Sequence, residues 1–132
     1  MRMVRVLVAD DIRFITQVIE RFLTADGHLV DTCENGSQAI EKLKTGAYDL
    51  VITDIIMPEK DGLEVSRYVR EQSRNTDIPI VAITGGGITI SAQATAEAAY
   101  VHANAVLLKP FSERDFRETV EPFIDKKNAA NG

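Results

Sequence analysis

Cys33 is the only cysteine in this chain, so no internal disulfide can form, a pattern that fits a reducing compartment. Nothing approaches the roughly 20 consecutive apolar residues that a membrane-spanning helix needs. The apolar run at residues 4–9 stops at Asp10, so the N-terminus reads as a first strand and not as a signal peptide. An excess of base is missing too. Acidic residues number 20 against 15 basic ones, giving a formal net charge of −5, which argues against nucleic-acid binding by charge alone. Repeats, low-complexity tracts and an interdomain linker are equally absent. What remains is a chain of 132 residues, 45% hydrophobic, long enough for a real core and expected to be cytoplasmic. Residues 1–125 are expected to form one domain, followed by a polar tail at 126–132 too short for an output domain.

Short runs rich in β-branched residues alternate with stretches of helical spacing. Strands are expected at 4–9, 29–33, 50–53, 78–83 and 105–108. The first helix should present Ile12, Ile15, Ile19 and Phe22 on one face. Gly27 should end it, and a second helix should run from Gly36 to a stop at Gly46. A third carries Val65 and Val69, an alanine-rich fourth spans 91–101, and a fifth carries Phe116, Val120 and Phe123. Such alternation demands a parallel sheet covered by helices on both faces, because each crossover is right-handed and helix-sized.

Parallel strands bring their C-terminal ends to one edge of the sheet. Asp10 and Asp11 follow the first strand, Asp54 ends the third, Thr84 the fourth and Lys109 the fifth. Taken singly, Asp11 reads as a cap for a helix beginning at Ile12, Thr84 as an ordinary strand-end residue and Lys109 as a solvated lysine. Their convergence on one edge is the informative fact. Three carboxylates suit a hard cation such as Mg2+, with Mn2+ as an alternative, which keeps several waters. An ionised Asp54 is a competent nucleophile toward phosphorus, and Lys109 and the Thr84 hydroxyl could stabilise charge on the transferring group.

At these residues the chain resembles the receiver domain of two-component response regulators, specifically a stand-alone one of the chemotaxis-regulator type. The resemblance covers about residues 4–124. It rests on the Asp10-Asp11 pair, Asp54-Ile55-Ile56-Met57-Pro58 with Asp61-Gly62, Thr84, and Lys109-Pro110-Phe111. It implies a flavodoxin-like, doubly wound (βα)5 fold with strand order 2-1-3-4-5. Asp54 is then the phosphoacceptor, supplied by a histidine kinase or a histidine phosphotransfer protein. Asp11 holds Mg2+ directly, Asp10 largely through water, and the Ile56 carbonyl adds a ligand. The Lys109–Pro110 peptide is expected to be cis. Such a protein is not a turnover enzyme but catalyses its own phosphorylation and dephosphorylation. It signals through a surface of fourth helix, fifth strand and fifth helix to a downstream protein, with no nucleic acid or membrane as partner.

The chain departs from the family pattern in places. The family commonly carries an aromatic residue three positions before the lysine, where this chain has Val106. A branched aliphatic cannot swing a ring between buried and exposed positions, so switching is expected to move the backbone after Thr84, at Gly85 and Gly86. The stretch from Thr84 to Lys109 is also longer than usual in the family. Ile56 offers nothing to orient an attacking water, whereas Gly86 leaves space. A receiver cut from a larger regulator is one alternative. An aspartyl-phosphate phosphohydrolase is another, but Ile56 stands where its general-acid aspartate belongs. A flavin binder would suffer charge repulsion from Asp10 and Asp11. His28 and His102 are expected on helix or loop surface, Cys33 as a small buried residue, and Met57-Pro58 as loop packing.

Overall fold

The structure, a computed structural model, describes residues 3–55, 57, 61–85 and 102–131, with side chains described as far as Asp125. Five strands form one sheet: β1 (Arg5–Ala9), β2 (Leu29–Cys33), β3 (Leu50–Asp54), β4 (Ile80–Gly85) and β5 (Ala105–Lys109). Their order is β2-β1-β3-β4-β5, and every pairing is parallel. Among the described residues four helices pack on it: α1 (Arg13–Ala25), α2 (Gly36–Thr45), α3 (Gly62–Glu71) and α4 (Glu113–Asn131). The polar residues after Asp125 continue α4 as far as Asn131. The helix expected at 91–101 lies outside the described residues.

Alternation along each strand sorts the core into two halves. Leu7, Ala9, Val51, Ile80 and Ala82 face Ala39, Ile40 and Leu43 of α2 and Val65 and Val69 of α3. Val6, Val8, Leu50, Ile52, Val81, Ile83 and Leu107 face Ile19 and Leu23 of α1 and Phe116, Val120 and Ile124 of α4. The doubly wound sheet of the expectation is therefore present, and burial on both faces is why its strands read as nearly unbroken apolar runs. Each fully buried Leu, Ile or Val contributes about 1.5–3 kcal/mol, enough to make the register of β1 and β3 hard to shift.

Local chemistry moves several boundaries. Asp10 Oδ1 accepts the Ile12 N–H at 2.8 Å, a turn that sets Ile12 before α1 as its N-cap residue and leaves it exposed. The buried stripe of α1 is Thr16, Ile19 and Leu23, with Ile15 and Phe22 along its flank. β4 begins two residues later than expected, because the Ile78 carbonyl is taken by Arg70 and Pro79 has no N–H to donate. Gly27 has φ 86°, the left-handed backbone glycine tolerates at a helix end. Gly46 closes α2 with an extended backbone. Its requirement is space, since a Cβ there would lie 3.1 Å from the Tyr48 ring and 3.3 Å from the Arg5 guanidinium.

His28 corrects the surface expectation: it is buried, and its Nδ1 accepts the Val4 N–H at 3.2 Å. The backbone at the start of β1 thus gains an acceptor that the ladder does not supply. His102 is half-buried, and Cys33 is buried at the end of edge strand β2 as expected.

Beside β1, the Asp31 carboxylate accepts the Tyr48 hydroxyl at 2.7 Å and pairs with Arg5 at 2.8 Å. Those two partners, Tyr48 first, hold the Asp31 carboxyl below its usual range. A depressed folded-state value means stability that is present above the unfolded value, about 3.9, and lost as pH falls through the lower folded value. Asp31→Asn is expected to lower stability near neutral pH by less than about 1 kcal/mol, because the pair is partly solvated. It should also flatten the decline below about pH 4. Urea midpoints across that range check both signs.

Candidate functional site

The strand ends meet as the sequence predicts. Ala9 of β1 pairs with Thr53 of β3, Asp54 with Ile83 of β4, and Gly85 with Lys109 of β5. Asp10, Asp54 and Thr84 are buried, whereas Asp11 is exposed at the lip. Asp10 is held from two sides. Its N–H donates to the Cys33 carbonyl at 3.1 Å, and its Oδ1 takes the Ile12 N–H. Asp11 therefore does not cap α1; no side chain does, and Asp10 makes the turn instead.

Lys109 reaches in from β5. Its Nζ lies 2.7 Å from Asp10 Oδ2 and 3.1 Å from Asp54 Oδ2. The ammonium thus bridges the two carboxylates, with the Asp10 oxygen fully buried against it. Burial pushes the Asp10 carboxyl above its usual range, with Lys109 and the Ile12 N–H opposing and the Asp54 charge adding to the rise. Burial alone would lower Lys109, but Asp10 and Asp54 outweigh it, so its ammonium is held more firmly than usual. The Lys109–Pro110 peptide is cis, as expected.

One carboxylate oxygen from each of Asp10, Asp11 and Asp54 lies within 4.8 Å of the others. Three hard oxygen donors gathered this closely fit a divalent cation such as Mg2+. The Ile56 carbonyl, expected as a further ligand, lies outside the described residues, as does Gly86. The Thr84 hydroxyl donates to the Gly85 carbonyl at 3.3 Å. Val106, half-buried, packs against the core on the α2–α3 face. Met57 is buried in that same core, which bears out its reading as loop packing.

Gly62 was legible only as part of a loop motif, yet it carries a strict steric demand. Its N–H donates to the Ile55 carbonyl at 2.9 Å, and a Cβ at Gly62 would sit 2.1 Å from the Asp54 carbonyl oxygen. Only glycine lets the start of α3 lie on the backbone that carries Asp54. The neighbouring Asp61 caps the helix by accepting the Glu64 N–H at 3.1 Å. An Asp-Gly pair seven and eight residues beyond a strand-end aspartate is the signal that could have located this contact.

These features match a known family. The family model for the response regulator receiver domain matches residues 6–121, and the chain belongs to that family. It is similar to the transcriptional regulatory protein ResD of Bacillus subtilis (strain 168), 33% identical over 111 residues, 84% of this chain and 44% of ResD. Response regulator MprA of Mycolicibacterium vanbaalenii is 34% identical over 129 residues, 98% of this chain and 54% of MprA. The chain thus spans about half the length of the curated relatives it matches. Among solved structures it resembles chemotaxis response regulator CheY4 of Vibrio cholerae, with TM-score 0.80 and 28% identity over 92% of this chain and 99% of that one. Because regulators with transcriptional names match as well, the chemotaxis type has only weak support.

The Gly62 contact is testable by stability alone. Gly62→Ala is expected to cost at least about 1–3 kcal/mol, since backbone must move to admit the methyl group. Gly85→Ala, where an added Cβ meets nothing within 4 Å, should stay within about 0.5 kcal/mol of the native chain. Urea unfolding of the two variants measures the contrast.

Proposed function

We propose that Asp54 accepts a phosphoryl group from a phosphohistidine of a histidine kinase or histidine phosphotransfer protein. The observation that carries this reading is the Lys109 ammonium held 3.1 Å from Asp54 Oδ2 beside the three-carboxylate cluster. An Asp54 oxygen forms the new O–P bond as the P–N bond to the donor imidazole breaks and its electron pair returns to the ring nitrogen. Lys109 offsets charge on the phosphoryl oxygens. The Thr84 hydroxyl, after leaving the Gly85 carbonyl, donates to one of them.

Asp10, Asp11 and Asp54 would hold Mg2+, with the Ile56 carbonyl as a further donor, and the ion would neutralise charge on the transferring group. A solved relative supports this assignment: the receiver domain of sensor histidine kinase PA1611 from Pseudomonas aeruginosa PAO1 was crystallised with a magnesium ion in its active-site cleft, with TM-score 0.81 and 25% identity over 94% of this chain and 99% of that one.

The chain turns over no external substrate. Its product is the phosphorylated state, which a downstream protein reads on the surface near β5 and the last helix, in a cytoplasmic setting. With Val106 in place of an aromatic ring, switching runs through Thr84 and the backbone of Gly85 and Gly86. The test is incubation with Mg2+ and a small acyl phosphate followed by intact-mass measurement. A single phosphoryl adduct is expected on the native chain and none on Asp54→Asn. Lys109→Ala should slow its formation roughly a hundredfold, as removal of a charge-stabilising donor does elsewhere. An adduct that persists in Asp54→Asn, or never forms on the folded native chain, overturns the assignment.

A further inference from the structure

Arg70, at the end of α3, lies at the opposite end of the sheet from the acidic cluster, yet its guanidinium gathers the approach to two strands. Its Nε donates to the His102 carbonyl at 3.0 Å. Nη1 donates to the Thr76 carbonyl at 2.9 Å and the Ile78 carbonyl at 2.7 Å. Nη2 donates to Asn104 Oδ1 at 2.8 Å. That same Asn104 oxygen accepts the Ile80 N–H at 2.8 Å, and the Asn104 N–H donates to the Ile80 carbonyl at 2.7 Å. One planar cation therefore fixes the residue just before β5 to the first residue of β4.

The placement matters because, among the described residues, β5 is the last strand of the sheet and borders only β4. Lys109 lies five positions after the clamp at Asn104, and the ladder between them is unbroken, from Val81 with Ala105 to Gly85 with Lys109. Core packing holds β5 at Leu107, but Leu108 is exposed and Val106 only half-buried. β5 is a short edge strand packed through Ala105, Val106 and Leu107, and the Arg70–Asn104 clamp adds a polar fixed point at its start. A fork of guanidinium donors on carbonyls holds geometry in a way a single ammonium does not.

We propose that Arg70 and Asn104 are positioning residues for Lys109, fixing β5 so that its ammonium reaches Asp54. The inference rests on the phosphoacceptor reading above, and its sign separates it from general loosening of the site. Lys109 is a cation already lying on Asp10 and Asp54. Its retreat slows phosphoryl transfer but removes a competitor for the same carboxylates, so Mg2+ affinity holds or rises. Disruption of the site itself would weaken both.

The experiment uses Asn104→Ala, an exposed position, beside Asn104→Asp, which keeps an oxygen for both Arg70 and the Ile80 N–H. Arg70→Lys, which keeps the charge and loses the fork, is a second variant should either fail to fold. Mg2+ binding is measured by calorimetry without phosphodonor, and adduct formation by intact mass at saturating Mg2+. For Asn104→Ala and Arg70→Lys the rate should fall roughly tenfold, less than the hundredfold that a misplacement of about 1 Å can cost. The Mg2+ dissociation constant should be equal to or lower than that of the native chain, and Asn104→Asp should restore the rate. An unchanged rate, or a fall in rate accompanied by weaker Mg2+ binding, overturns the positioning role. If the native chain phosphorylates on Asp54 while Asn104→Ala keeps its rate, only this inference fails and the phosphoacceptor reading stands.

Discussion

Two carboxylates buried at one sheet edge repel each other unless a cation stands between them, and Lys109 places an ammonium against both. At an effective dielectric of 20, unit charges 4 Å apart interact by about 4 kcal/mol, so the sign of that neighbour decides whether the crevice is tolerable. Everything that fixes Lys109 relative to Asp10 and Asp54 is therefore part of the site: the unbroken register across β1, β3, β4 and β5, the two cores that pin it, and the glycine that lets α3 rest on the Asp54 backbone. The edge strand contributes the cation and the interior strands contribute the acids.

The fold was largely legible because its strands are buried on both faces. Residues 50–53 contain three large apolar residues and a buried Thr53, a pattern that amphipathic alternation cannot produce. Boundaries were less legible, for reasons that lie off the strands themselves. The start of β4 at Ile80 is set from outside the strand: Arg70 takes the Ile78 carbonyl, and Asn104 Oδ1 takes the N–H of Ile80 itself. No periodicity encodes a side chain arriving from another helix. His28 misled for a similar reason. It has the composition of a loop residue, and only the three-dimensional neighbourhood of Val4 gives its ring nitrogen something to accept.

The site was legible as a set of residue types at strand ends, because topology alone collects them. What the sequence could not convey was which acid does which local work. Asp11 looked like the helix cap, yet Asp10 makes the turn with one oxygen and meets Lys109 with the other. A carboxylate with two oxygens can serve both ends, one in the turn and the other against the Lys109 ammonium. Gly62 belongs to the same group of hidden constraints, since close approach of two backbones leaves a trace in sequence only as the absence of a side chain.

The charge balance of the crevice explains why these pieces occur together. Three carboxylates against one ammonium leave two formal negative charges uncompensated, the charge of one divalent cation. Without such an ion, Lys109 is the described cation set against Asp10 and Asp54. With a divalent cation the four side chains and the ion sum to neutrality, and a phosphoryl group, itself anionic, can approach Asp54 without meeting a net negative field. A fourth acid nearby would upset that balance, and so would loss of the lysine. Val106 takes no part in this accounting. An aliphatic residue at that position therefore leaves the charge chemistry intact while removing an aromatic route by which it could be reported; on the proposed phosphoacceptor reading, the hydroxyl of Thr84, bonded to its neighbour's carbonyl, would be the described group that couples a phosphoryl oxygen to the backbone.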